Sequence, residues 1–332
     1  MTRTSPLLVE VTRGDLVESV HHVDACAVDP AGTVFYRAGE IDRPYYLRSA
    51  AKPFIAAAVI EAGAGDRFGF DAREIAVMAA SHFGEPFHVE AVASILRKIG
   101  MDESALQCGI HMPYDEGAAN ALRRAGLAPT ALHNNCSGKH AGILALCKVL
   151  GADPTTYLDA DNPCQRRILA FCARLADEDS ARWPVATDGC GIPVYATSLR
   201  KAALSFARFA SLDGINDRDA AALRVVRAAM LEFPAYVAGT GQLDTELMLA
   251  GGGNLVAKAG AEGVHGVSAI AQEYGYASKV RDGSSRARGP ATLSALRELG
   301  LINGSEPVEL ARFARPSVYN RAGDAVGEIR VV

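Results

Sequence analysis

The chain has 332 residues, of which 49% are hydrophobic. That is enough for a full core, as one large domain or two closely joined lobes, and too apolar for a disordered chain. The formal net charge is −4 with no basic run, which argues against nucleic acid as a main partner. No apolar stretch approaches the roughly 18 to 20 residues of a membrane span and the N-terminus lacks a signal-peptide core, so a cytoplasmic protein with no membrane partner is expected.

The first 45 residues or so read as sheet. Leu7 to Thr12 is one strand, and Val17 to Val28 with Thr33 to Arg37 form a hairpin across the turn Asp29-Pro30-Ala31-Gly32. From about 49 to 234 the pattern is mostly helical. Val89, Val92, Leu96 and Ile99 line one helical face, Asn162-Pro163 caps and opens another helix, and Ser198 and Asn216 begin two more. The last third turns glycine-rich. Gly239-Thr240-Gly241 and Gly251 to Asn254 are tight turns, Leu255 to Ala259 and Val264 to Ala271 are short apolar runs, and Thr292 to Leu299 is a helix stopped by Gly300. Asn320 to Gly323 turns into a final strand, Val326 to Val331. Sheet at both ends predicts that the termini meet in one sheet, over about 1–48 and 235–332, with the helical stretch as a second layer. The expected fold is mixed α/β (α+β), working as a single catalytic unit over 1–332.

Ser49-Ala50-Ala51-Lys52 is a Ser-x-x-Lys at the start of an apolar helical run. Residues i and i+3 share a helix face, and a serine needs a neighbouring base, which a lysine of lowered pKa can be. Chance nearly supplies one such motif, and Ser198 to Lys201 is a second copy that reads as an ordinary helix cap. Lysine provides only 7 of the 34 basic residues, leaving 27 arginines. Lysines kept in such a chain point to work that a permanently charged arginine cannot do. Lys52, Lys139 and Lys258 lie in Gly- or Ala-rich contexts, whereas Lys98, Lys148, Lys201 and Lys279 read as surface residues.

The seven cysteines, without a secretory signal, suggest free thiols. Cys147 and Cys172 read as core filling in helices, while Cys136 and Cys190 fall in polar, glycine-rich turns. The latter, with His140 and Asp188 close by in sequence, are compatible with a zinc site or with two unrelated loop cysteines. Ser81-His82 follows an apolar helix, as a reactive pair or as caps, and Lys258-Ala259-Gly260 is the Lys-x-Gly strand that edges the site of Ser-x-x-Lys enzymes. Dinucleotide-binding, phosphate-loop, HExxH and GxSxG motifs are absent.

The blocks YLRSAAKPF, AASHFGEPFH, HNNCSGKHAGILALC, DGCGIPVYATSL, YVAGTGQLDTELM and KAGAEGV together resemble the L-asparaginase II family, the rhizobial-type bacterial asparaginases, over nearly the whole chain. The resemblance implies a serine β-lactamase/penicillin-binding-protein-like fold and hydrolysis of L-asparagine to L-aspartate and ammonia. It implies two Ser-Lys pairs, Ser49/Lys52 and Ser81/Lys258, a zinc ion held by Cys136, Lys139 and Cys190, substrate contacts at Arg48, Asp188 and Gly241, and a homodimer. The competing readings are another Ser-x-x-Lys amidase or peptidase and a non-catalytic amino-acid- or zinc-binding module.

Overall fold

One long strand organises the sheet. In the computed structural model, which describes residues 2–302 and 308–332, the strands of the large sheet are β1 (Thr2–Arg3), β2 (Leu7–Arg13), β3 (Leu16–Val28), β4 (Val34–Ala38), β5 (Leu255–Ala259), β6 (Val264–Ala269), β7 (Tyr274–Val280), β8 (Ser317–Tyr319) and β9 (Ala325–Val331). Their order is β8-β9-β2-β3-β7-β6-β5. One edge of β3 pairs with β2 from Leu16 to Val23 and then with β4 from Ala25 to Val28, while Val23 to Val28 also pair with β7. β1 runs parallel to β4, and the other strand pairs described in this sheet are antiparallel. Ile329 of β9 faces Val11 of β2, so the two ends of the chain join in one sheet as expected.

The chain divides into two compact units. The first comprises Met1–Ala50, Thr197–Gly214 and Glu246–Val332, the second Ala51–Ala196 and Ile215–Thr245. In the first, the helix Leu199–Ser211 lies on the sheet, and two glycines permit it. A Cβ on Gly275 of β7 would come 2.0 Å from the Ala203 carbonyl oxygen, and one on Gly266 of β6 would come 1.9 Å from the Phe206 ring. Ser198 caps this helix by accepting the Lys201 amide, so the second Ser-x-x-Lys is the structural cap it was read to be.

In the second unit the helix Lys52–Glu61 is buried from Lys52 through Val59, which accounts for its lack of a polar face. It packs against the helices Ser137–Leu150, Pro163–Leu175 and Asp217–Glu232. The helix Ala72–Met78 starts with a reciprocal capping box between Asp71 and Glu74. Pro86–Lys98 is the helix predicted from Val89, Val92, Leu96 and Ile99. The strands Val185–Thr187 and Pro193–Ser198 interrupt the helical stretch, and Val185 to Thr187 pair antiparallel with Pro193 to Tyr195. All seven cysteines are free and buried. No helix among the described residues is long and apolar enough to cross a membrane.

Candidate active site

Lys52 opens its helix with Pro53 behind it and no side-chain cap on Ala51. Its side chain is buried, and Nζ lies within hydrogen-bond distance of the Ala80 carbonyl (2.6 Å), Ser81 Oγ (3.0 Å), the Asn135 carbonyl (3.4 Å) and Cys136 Sγ (3.1 Å). Two segments distant in sequence, at Ala80–Ser81 and Asn135–Cys136, thus converge on one amine. Burial pulls the Lys52 amine below its ordinary pKa and the Lys139 charge pulls it further, against the opposing pull of Cys136.

A second amine–thiol contact adjoins the first. Lys139, in the first turn of Ser137–Leu150, donates from Nζ to Cys190 Sγ at 2.9 Å, and the Cys190 thiol is 3.7 Å from Asp188 Oδ2. Cys136 and Cys190 are hydrogen-bonded to each other, which joins the halves into one buried cluster of two thiols and two amines. The hydrogen bond from Cys190 holds the Cys136 thiol well below its ordinary value, aided by Lys139 and Lys52, while Cys190 is pushed up by the same bond and by burial. Burial works against the Lys139 ammonium, but the charges at Cys136 and Cys190 hold it above its ordinary value. Among the described residues no group of three or more histidine, cysteine and carboxylate side chains forms a metal cage. The donor set here is instead two soft sulfurs and a lysine nitrogen shielded from water, a chemistry that suits zinc.

Ser81 sits after the helix Ala72–Met78, and its amide donates to the Val237 carbonyl. The neighbouring His82, to which sequence reasoning attached no firm role, ties two loops together. Its Nδ1 accepts the Gly84 amide at 3.2 Å, so the neutral ring carries its proton on Nε2 and donates it to Ser137 Oγ at 2.8 Å. Ser137 Oγ donates onward to the Leu132 carbonyl, and the His82 amide bonds the Asn135 carbonyl. Burial keeps His82 well below the usual histidine range. Glu85 was also missed: its carboxylate takes the Thr240 amide and hydroxyl, both at 2.8 Å, and so clamps the turn that contains Gly241. The signal for both was their place inside the SHFGEP block, but nothing local names their partners 55 and 155 residues away.

The first unit carries Ser49, Arg48 and Lys258. Ser49 is nearly buried in the 3-10 turn Arg48–Ala51, and Arg48 has a left-handed backbone with φ of 50°, a conformation that costs a non-glycine residue energy and recurs at functional sites. Lys258 is fully buried, and its Nζ donates to the Ala259 carbonyl. The end of this Lys-x-Gly strand lies against the Ser49 turn, because a Cβ on Gly260 would come 2.9 Å from the Leu47 carbonyl oxygen and 3.2 Å from the Ala50 amide nitrogen.

No curated protein matches this chain. Among solved structures, Mglu in its tris and glutamate form is 13% identical with a TM-score of 0.49, over 86% of this chain and 61% of that one. A Bacillus glutaminase in 4.3 M NaCl is 15% identical with a TM-score of 0.39, over 84% of this chain and 91% of that one. The D-alanine carboxypeptidase AmpC from Burkholderia cenocepacia is 12% identical with a TM-score of 0.37, over 88% of this chain and 91% of that one. A family model described as L-asparaginase II matches residues 9–331. With all but a few terminal residues inside that match, the chain belongs to the L-asparaginase II family.

Proposed function

We propose that this chain is an amidohydrolase that cleaves the side-chain amide of L-asparagine to L-aspartate and ammonia through a serine acyl-enzyme. The observation that carries the chemistry is Lys52, an amine depressed by burial with Nζ 3.0 Å from the Ser81 hydroxyl. A lysine so placed can act as a base, whereas an exposed one stays charged at neutral pH. Ser49, three residues ahead of Lys52 and beside a helix N-terminus that favours negative charge, is the attacking oxygen in this reading. It bonds the amide carbon of the substrate while its proton passes to neutral Lys52. The protonated amine then delivers that proton to the departing ammonia, and water releases aspartate from the ester. Ser81, bonded to Lys52, and Lys258 are the second Ser-Lys pair of this reading. Arg48, Asp188 and the Gly241 turn supply the charged and backbone groups that would orient the α-amino and α-carboxylate groups.

Cys136, Cys190 and Lys139 would hold zinc, which when bound fixes both sulfurs as thiolates and locks the two polar turns together. The protein would work as a cytoplasmic homodimer.

The test is ammonia release from L-asparagine and from L-glutamine by wild type, Ser49→Ala and Ser81→Ala, with elemental analysis of the same samples. Wild type is expected to prefer asparagine strongly, Ser49→Ala to lose about 10³-fold or more of kcat, and about one zinc per chain to be found. Half-activity in Ser49→Ala refutes its role, comparable glutamine turnover refutes the specificity, and metal-free active protein removes the zinc.

A further inference from the structure

Cys147, read from sequence as core filling, is not isolated: its sulfur meets that of Cys164. Cys147 lies near the end of the helix Ser137–Leu150 and Cys164 in the first turn of Pro163–Leu175. Both are buried, and their sulfurs are 3.2 Å apart. The backbone at Cys164 is held by the Asn162 cap, whose side chain accepts the Cys164 amide at 2.9 Å. A disulfide needs about 2.05 Å between sulfurs, an approach of roughly one ångström from this geometry.

We infer that Cys147 and Cys164 form an oxidisable dithiol that hydrogen peroxide converts to a disulfide. One thiolate attacks a peroxide oxygen, breaking the O–O bond to give a sulfenic acid and, after proton uptake, water. The second sulfur then attacks the sulfenic sulfur, forming the S–S bond and releasing a second water, so two thiols and one peroxide give one disulfide and two waters. Either sulfur can be the first attacker, because either thiol can donate to the other across the 3.2 Å contact.

The segment that this bond would close braces both sides of the Cys136–Lys139–Cys190 cluster. The Tyr157 hydroxyl accepts the Gln107 amide and donates to Nδ1 of His140, the neighbour of Lys139. Leu158 packs against Gly191, the neighbour of Cys190, where an added Cβ would lie 3.1 Å from Leu158 Cδ1. Closing the loop at its two ends removes chain freedom from the unfolded state while leaving these contacts in place.

The experiment treats the full-length protein with hydrogen peroxide, alkylates remaining thiols under denaturing conditions and maps peptides without reduction. A peptide linking Cys147 to Cys164 is expected, with a Tm about 5 °C higher that dithiothreitol reverses. Cys147→Ser and Cys164→Ala should each lose the link and the shift, and the wild-type map decides even where a variant folds poorly. Alkylation of both thiols after peroxide, or a cross-link confined to Cys136 and Cys190, would overturn the inference. A Cys147–Cys164 bond that lowers Tm would overturn the bracing. None of these outcomes depends on the amidase reading.

Discussion

At the scale of single residues, the arginine bias carried more than any motif. Lys52, Lys139 and Lys258, the lysines in odd contexts, are the three that are buried, and Lys98, Lys148, Lys201 and Lys279 keep solvent contact. A buried amine is costly unless it is neutral or bonded on all sides, so only a site with a use for it retains it. The partners were not legible: Lys52 reaches Ser81 and Cys136 across 29 and 84 residues, and the lone Ser-x-x-Lys spacing points only to Ser49. Lys52→Arg tests the need for a group that can lose its proton. It should lower kcat on asparagine by about 10²- to 10⁴-fold. Lys52→Met, of similar length and uncharged, should be as inactive, with a circular dichroism spectrum showing that the fold survives. An active arginine variant would mean that charge alone suffices.

Among the elements, close approach explains glycines that propensity does not. Gly138 lies in the first turn of Ser137–Leu150, where alanine is intrinsically better by about 1 kcal/mol. A Cβ there would come 2.1 Å from the Val77 carbonyl oxygen, so this helix touches the end of Ala72–Met78 through backbone. The contact keeps the start of this helix close to the segment after Met78, where the His82 amide bonds the Asn135 carbonyl and Lys52 bridges Ser81 and Cys136. Gly138→Ala should therefore destabilise the protein, by about 1–3 kcal/mol from overpacking, and reduce activity; a raised urea midpoint would show that the glycine serves no packing purpose. The same physics hid elements from a sequence reading. β7 was missed because Tyr274 to Ser278 include Gly275, which is there for the helix above it. The helix Arg288–Glu298 begins four residues before the predicted Thr292, since Pro290 is tolerated in a first turn and Gly289 abuts the Phe313 carbonyl.

Across the molecule, burial of histidine sets the response to acid. His88 accepts the Glu85 amide at Nδ1, donates to the Ala235 carbonyl from Nε2, and stacks on His82. Burial pulls its pKa down to about 4 and keeps His82 well below its usual range. An unfolded chain binds these protons near the ordinary value of about 6.5, so the unfolded state holds more protons between there and about 4. Stability is thus intact above about pH 6.5 and is lost as pH falls through that window, at up to about 1.4 kcal/mol per pH unit for each such histidine. The urea midpoint should be lower at pH 5 than at pH 7.5, and His88→Gln should flatten the slope, whatever its absolute stability. A midpoint independent of pH would mean that the histidines are not buried as neutral rings. The sheet at both ends, the helical middle and the family were legible in the chain alone, because periodicity, caps and motif blocks are local. Folding alone brings Lys52 to Ser81 and Cys136, Lys139 to Cys190, and His82 to Ser137. Those contacts and the shifted protonation they cause depend on burial between distant segments, a property of packing that no stretch of chain carries alone.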